Sequence, residues 1–337
     1  MWRRLMVGES HSLILGIDIG GTSLRLALAQ SAEKVISRRK VASPADQDPQ
    51  VMVDTISRIA GELLAEAGGG PLAAVGISAP GPVDSKSGTL MDPPNLPRFH
   101  TVPLRDLLSR ELSAPVALEN DANAAALAEH RMGSGRGVQD MVYVTISTGI
   151  GGGLIAGGRL ISGARGGAGE IGHITIDVNG SPCGCGKSGC WEAMASGTAI
   201  NKELVRRVRA GEASVLAESV RRDPSLVDAR AVHVAARQGD QLSNEILDKV
   251  TFYTGVGLGS VVNVLNPELV VVGGGLTMND GDRILGPAFD ICRQQIFPLH
   301  NKGLRLEVSR MGDEVALLGA LVLAAELREG QCPGPKA

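Results

Sequence analysis

Between Glu170 and Glu192 the chain reads EIGHITIDVNGSPCGCGKSGCWE, a stretch dense in residues able to do chemistry. His173, Cys183, Cys185 and Cys190 supply one imidazole and three thiolates, the ligand set of a closed tetrahedral zinc site. Four protein ligands leave no open position for water, so zinc here would build structure rather than activate a nucleophile. Glu170 and Glu192 bracket the ligands, and a metal between them would hold both carboxylates in fixed positions. The other readings are a disulfide pair with a spare thiol, or unrelated buried thiols. The chain has five cysteines, the remaining two being the distant Cys292 and Cys332. An odd count without a secretory segment points to a reducing compartment and away from a disulfide framework.

Two nearby patterns carry no chemistry. Gly186-Lys187-Ser188 resembles the end of a phosphate loop, but Ser181 stands where that motif needs its first glycine. Gly167 to Gly172 matches G-x-G-x-x-G without a βαβ context, a match expected by chance in a chain with 45 glycines.

The elements that must position a site follow from periodicity. Leu13 to Asp18 is an apolar run ending in a carboxylate and Gly20-Gly21, and Leu24 to Ala29 returns, which predicts a hairpin. Met141 to Ser147, the turn Thr148-Gly149-Ile150-Gly151 and Gly152 to Ala156 repeat the pattern about 130 residues later, a weak internal duplication. Tight glycine turns expose successive backbone N–H groups and form anion-binding concavities. Thr22 and Thr148 add hydroxyl donors, and Asp18 is suited to hold a phosphate-bound magnesium through water. A strand over Leu269 to Val272 runs into Gly273-Gly274-Gly275, and the three glycine features together favour a nucleotide. Glu119-Asn120-Asp121 ends a strand ahead of the helix Ala122 to Arg131, where α/β sheets place ligand-binding side chains. From spacing alone, Asp121 reads first as that helix's N-cap. Other expected elements are strands over Val35–Val41, Ala73–Ser78 and Leu304–Val308. Helices are expected over Pro49–Ala67, Leu104–Leu112, Ser196–Arg209, Ala210–Asp240, Leu242–Asn266, Asp280–Phe297 and Glu314–Arg328.

Hydrophobic content of 43% and charged content of 20% are those of a globular protein with a real core. A net charge of −3 gives no reason to expect nucleic acid as a partner. The first twelve residues lack the apolar core of a signal peptide, and no long uncharged apolar run is present, so a cytoplasmic protein without membrane spans is expected.

The ordered segments LGIDIGGTSLRLAL, VGISAPGPVD, ALENDANAAALAEH, YVTISTGIGGGLI, AGEIGH, CGCGKSGCWEAMASGTAI and VVVGGGL resemble the ROK family of sugar kinases and repressors. The resemblance runs from about Leu13 to about Leu327, is weakest over 206–241, and leans toward the family's bacterial glucokinases. It implies an actin-like ATPase fold (ribonuclease H-like), with two α/β domains and a cleft between them. The expected boundaries are a small domain over 1–120 completed by the helix 314–329, a large domain over 121–313 carrying the zinc segment 173–190, and a disordered tail over 330–337. The implied ATP site comprises Asp18, Gly20, Gly21, Thr22, Ser23, Arg25, Ser147, Thr148, Gly149, Gly151, Gly273, Gly274 and Gly275, with Asp18 near magnesium. Asp121 matches the family's catalytic base, and Gly81, Asn95, Asn120, Glu170, His173 and Glu192 match sugar-binding positions. His173, Cys183, Cys185 and Cys190 match the zinc ligands. Glucose is the expected sugar, because Glu170 stands where family kinases of N-acetylmannosamine can carry His, and the C-G-C-G spacing differs from that of the family's fructokinases. Kinases of N-acetylmannosamine or N-acetylglucosamine are the alternatives. A ROK repressor is disfavoured, since about twelve residues precede the first strand and such repressors carry an N-terminal helix-turn-helix domain. The family also implies a homodimer or homotetramer.

Overall fold

The computed structural model describes residues 13–330, and over 277–280 the backbone alone. Of the tail expected over 330–337, only Gly330 lies within the described residues. The chain divides into two compact units. Among the described residues the first comprises 13–128, 162–167 and 314–330, and the second 129–161 and 168–313.

The first unit is built on one mixed sheet. Its strands are β1 (Leu13–Ile19), β2 (Ser23–Ser31), β3 (Lys34–Ala42), β4 (Leu72–Ala79) and β7 (Val116–Asn120), in the order β3-β2-β1-β4-β7. A short hairpin, β5 (Val83–Asp84) with β6 (Thr89–Leu90), stands apart. β2 runs antiparallel to β1 and β3, whereas β1, β4 and β7 are parallel. Alternation along β1 decides what each face covers. Leu13, Leu15, Ile17 and Ile19 join one core with Met52, Ile56 and Leu63 of the helix Pro49–Glu66 and with Leu104 and Leu108 of the helix Leu104–Leu112. Ile14 faces the other way, toward Leu317, Leu321 and Ala324 of the helix Val315–Arg328. That helix lies so close that a β-carbon on Gly76 would fall 1.9 Å from the Ala320 carbonyl oxygen.

The second unit repeats the plan. β8 (Met141–Ile146), β9 (Ile150–Ala156), β10 (Arg159–Leu160), β11 (Leu269–Gly273) and β12 (Arg305–Val308) form a sheet ordered β10-β9-β8-β11-β12. Here too the hairpin strands are antiparallel, and β11 and β12 run parallel to β8. The duplication suspected in the glycine hairpins therefore extends to the order and direction of all five strands. Val142, Val144 and Ile146 pack with the fully buried Trp191 and with Ile246, Leu258 and Val262 of the helix Gln241–Leu265.

Two expected helices are corrected. Residues 210–240 hold two short helices, Ala217–Arg222 and Ala229–Arg237, separated by a turn at Pro224–Leu226. Asp223 and Asp228 start the latter two pieces by accepting Ser225 and Ala231 N–H groups, so side-chain caps divide what periodicity read as one helix. The helix expected from Asp280 starts at Gly275 and ends at Gln295, because the triple glycine itself turns β11 into the helix.

Candidate functional site

Three parallel strands of the first unit end in polar side chains at adjacent positions. Asp18 near the end of β1 is in register with Ser78 of β4, and Ala79 with Asn120 of β7. Asp18 is buried, accepts the Ser78 hydroxyl at 3.2 Å, and lies 3.5 Å from Arg25 Nε across the β1–β2 ladder. Burial pushes its carboxyl above the usual range, against the opposing pull of Arg25 and Ser78. A cation beside it would favour the ionised form.

The first glycine turn is closed by Gly20 N–H donating to the Ser23 carbonyl at 2.9 Å, which leaves Gly21 and Thr22 exposed. Asn95 packs on this turn, its carbonyl oxygen 3.1 Å from where a Gly21 side chain would begin. Gly81 lies beside Asn120 in the same sense, at 4.0 Å from the Asn120 β-carbon.

The helix Asp121–Met132 is capped by Asn120, not by Asp121. Asn120 Oδ1 accepts the Asn123 N–H at 2.7 Å, the bond of an N-cap side chain to the third helical residue. Asp121 is therefore the first helical residue, exposed, with Oδ1 accepting the Ala122 N–H at 2.8 Å. The third residue of that polar strand end, Glu119, has a role that spacing does not show. Glu119 is buried and accepts Asn123 Nδ2 at 2.8 Å, Asn120 N–H at 3.2 Å and the Ser162 hydroxyl at 3.2 Å. This network fixes the backbone that presents Asn120 and Asp121.

In the second unit the turn Ser147–Gly149 is held from outside. Gly197 N–H donates to the Ser147 carbonyl at 2.8 Å, and the Thr198 hydroxyl to the Thr148 carbonyl at 2.8 Å. Gly151 lies past the turn, within β9, opposite Thr145. The triple glycine meets the same turn. Gly274 has φ +99°, and a β-carbon there would fall 2.5 Å from the Ile146 carbonyl oxygen. A β-carbon on Gly275 would fall 3.4 Å from Ser147 Oγ. Hairpin, triple glycine and helix start thus converge at the carboxyl edge of β8 and β11, where α/β sheets bind ligands.

The four metal-type side chains also converge. The ligand atoms of His173, Cys183, Cys185 and Cys190 all lie within 4.8 Å of one another. His173 Nδ1 is 3.6 Å from Cys183 Sγ, and Cys185 Sγ is 3.6 Å from Cys190 Sγ. Zinc–sulfur bonds of about 2.3 Å at tetrahedral angles put two sulfurs about 3.8 Å apart, so the donor set and its spacing fit zinc. Burial, with Cys185 and Cys183 alongside, pushes the Cys190 thiol up to about 12, so thiolates gathered here call for a cation. The other imidazole nitrogen, Nε2, faces Glu170 Oε2 at 3.9 Å. Glu192 Oε2 accepts the Ile150 N–H at 3.0 Å. Tyr253 donates to Asp177 Oδ2 at 2.6 Å and Lys187 Nζ to the His173 carbonyl at 2.9 Å, two clamps on the segment that local spacing could not show.

The ROK family model matches residues 14–327. The chain belongs to the ROK family. It is 34% identical to a glucokinase of Thermotoga maritima over 313 residues, 93% of this chain and 97% of that one. A ROK hexokinase structure from Thermus thermophilus superposes with a TM-score of 0.81 at 32% identity, covering 94% of this chain and 99% of that chain. A ROK family glucokinase from Streptomyces griseus, solved in complex with glucose and AMPPNP, gives 0.76 at 33% identity, covering 94% and 100%. The repeated five-stranded sheets are those of the actin-like ATPase fold of ROK sugar kinases. No helix among the described residues is long and apolar enough to cross a membrane.

Proposed function

We propose that this chain is an ATP-dependent glucokinase that phosphorylates the 6-hydroxyl of glucose. The observation that carries the reading is the full-length likeness to glucokinases, joined to an exposed Asp121 at the end of a parallel strand. The two units serve as the small and large domains of the kinase.

A sugar hydroxyl is a poor nucleophile, and Asp121 accepts its proton as the oxygen attacks the γ-phosphorus in line. Asn120 caps the helix with Oδ1, which leaves its amide nitrogen for a sugar oxygen. Gly81 gives clearance beside Asn120, and Asn95 lines the first glycine turn. In the second unit Glu170, His173 Nε2 and Glu192 bind sugar hydroxyls, with His173 Nδ1 on the metal side. Those backbone N–H groups of the turns at Gly20–Thr22 and Ser147–Gly149 that are not bonded within the turns hold the phosphates, Ser23, Arg25 and Gly151 support those turns, and Gly273–Gly275 lies against the nucleoside. Magnesium, beside Asp18, would neutralise charge developing on the phosphates. Structural zinc would sit on His173, Cys183, Cys185 and Cys190 and keep the sugar-binding carboxylates in place. An assembly of two or four copies and a cytoplasmic location complete the proposal, the latter because a thiolate cluster of this kind suits a reducing compartment.

Initial rates on glucose, N-acetylmannosamine, N-acetylglucosamine and fructose test the substrate. Preference for any sugar but glucose would overturn the choice.

A further inference from the structure

The span Cys190–Thr198 touches two features at once. Cys190 belongs to the metal-type cluster. Trp191 is fully buried, its backbone N–H donates to the Ile174 carbonyl at 2.9 Å, and its ring fills the space left by Gly257, where a β-carbon would fall 2.2 Å away. The next residue turns to the glycine hairpin. Glu192 Oε2 takes the Ile150 N–H, and a β-carbon on Gly149 would fall 2.4 Å from that same oxygen. Ser196 then caps the following helix through the Ala199 N–H at 3.1 Å. That helix aims its first donors back at the hairpin, Gly197 N–H to Ser147 and both Thr198 donors to Thr148. Ser147, Thr148 and Ile150 are therefore hydrogen-bonded by this one span, and Gly149 lies against it.

We propose that Glu192 and Thr198 set the shape of the phosphate-binding turn, and that Glu192 couples sugar occupancy to nucleotide affinity. The inference rests on the kinase reading and goes beyond it. One Glu192 oxygen is committed to the hairpin, and the other is the atom offered to the sugar. A sugar hydroxyl that immobilises the carboxylate also immobilises the turn, so the nucleotide then binds a turn with less freedom to lose. Coupling of this kind is reciprocal: glucose and nucleotide strengthen each other's binding by the same factor.

The test is calorimetric binding of AMPPNP with magnesium to the full-length, zinc-loaded protein, with and without glucose. Wild type should bind the nucleotide more tightly when glucose is present. Glu192→Ala should weaken sugar-free nucleotide binding about tenfold or more, the scale of a lost hydrogen bond to a charged group, and bring the coupling factor near one. Glu192→Gln keeps an acceptor for Ile150 N–H and should restore most of the sugar-free affinity. Thr198→Val removes a grip that involves no sugar-binding residue. It should weaken nucleotide binding about threefold with glucose binding little changed. Sugar-free nucleotide affinity within about twofold of wild type in both Glu192→Ala and Thr198→Val, on the scale where a hydrogen bond contributes nothing net, overturns the proposal. If Glu192→Ala does not fold, Thr198→Val decides the shaping of the turn by the same criterion, and wild type whose AMPPNP affinity is unchanged by glucose overturns the coupling. Wild type that binds neither glucose nor AMPPNP would instead overturn the kinase reading, and this inference with it.

Discussion

Replacing Cys190 with serine isolates ligation from packing. The Cys190 side chain is fully buried, its Sγ 3.6 Å from Cys185 Sγ, and serine is close enough in size to keep Trp191 in place. The hydroxyl does not ionise at neutral pH, so the cluster drops from four ligands to three. Free zinc a thousandfold above its Kd contributes about 4 kcal/mol to the folded state by mass action. A domain of roughly 150–250 residues shifts its Tm by about 2–4 °C per kcal/mol, so Cys190→Ser should melt about 10 °C below the zinc-loaded wild type. Metal analysis should find about one zinc per chain in wild type and far less in the variant. A chelator should lower the wild-type Tm by a similar amount and leave the variant unmoved. Because Cys190 is two residues from Glu192, chelation should also weaken nucleotide binding. Wild type free of metal after purification with zinc, or a variant melting within about 2 °C of it, would refute the reasoning.

Two further outcomes follow from the first unit. Gly76→Ala puts a β-carbon 1.9 Å from the Ala320 carbonyl, a backbone atom that cannot swing aside, and should cost about 3 kcal/mol in urea unfolding; a loss under about 1 kcal/mol would mean the helix Val315–Arg328 shifts freely. Burial raises Glu119 above its ordinary 4.5, outweighing the donors Asn123, Ser85, Asn120 and Ser162. The folded state then holds that proton more readily than the unfolded chain, so this group weakens the fold as pH rises from 4.5 through the raised value. Glu119→Gln should therefore be more stable than wild type at neutral pH, with the gap closing as pH falls below 4.5. A gap that is the same at both ends, or reversed, would contradict the account.

The sequence was most informative where function is local. Glycine turns between apolar strands, and four metal-type side chains within one short segment, announce themselves through residue type and spacing alone. The duplication was visible only as two hairpins, because β4, β7, β11 and β12 join their sheets through crossovers whose partners lie far along the chain. Asp121 read first as a helix cap because Asn and Asp are both good caps, and only the Asn120–Asn123 bond shows which residue takes the role. Glu119 read as one of three polar residues at a strand end, and its supporting network stayed hidden because the Ser162 that meets it lies 43 positions away. Glu192 gave a sequence signal for one task, while its bond to Ile150 spans 42 positions and shows the other.

Sugar phosphorylation by wild type and Asp121→Asn, followed as ADP release at saturating MgATP, tests the central claim most directly. Wild type should turn over glucose with a higher kcat/KM than N-acetylmannosamine, N-acetylglucosamine or fructose. Asp121→Asn cannot accept the hydroxyl proton, so its kcat should fall by about 10²–10⁴ while glucose binding stays near wild type. A variant keeping more than about a tenth of wild-type turnover, below the least effect expected of a lost general base, would contradict the account.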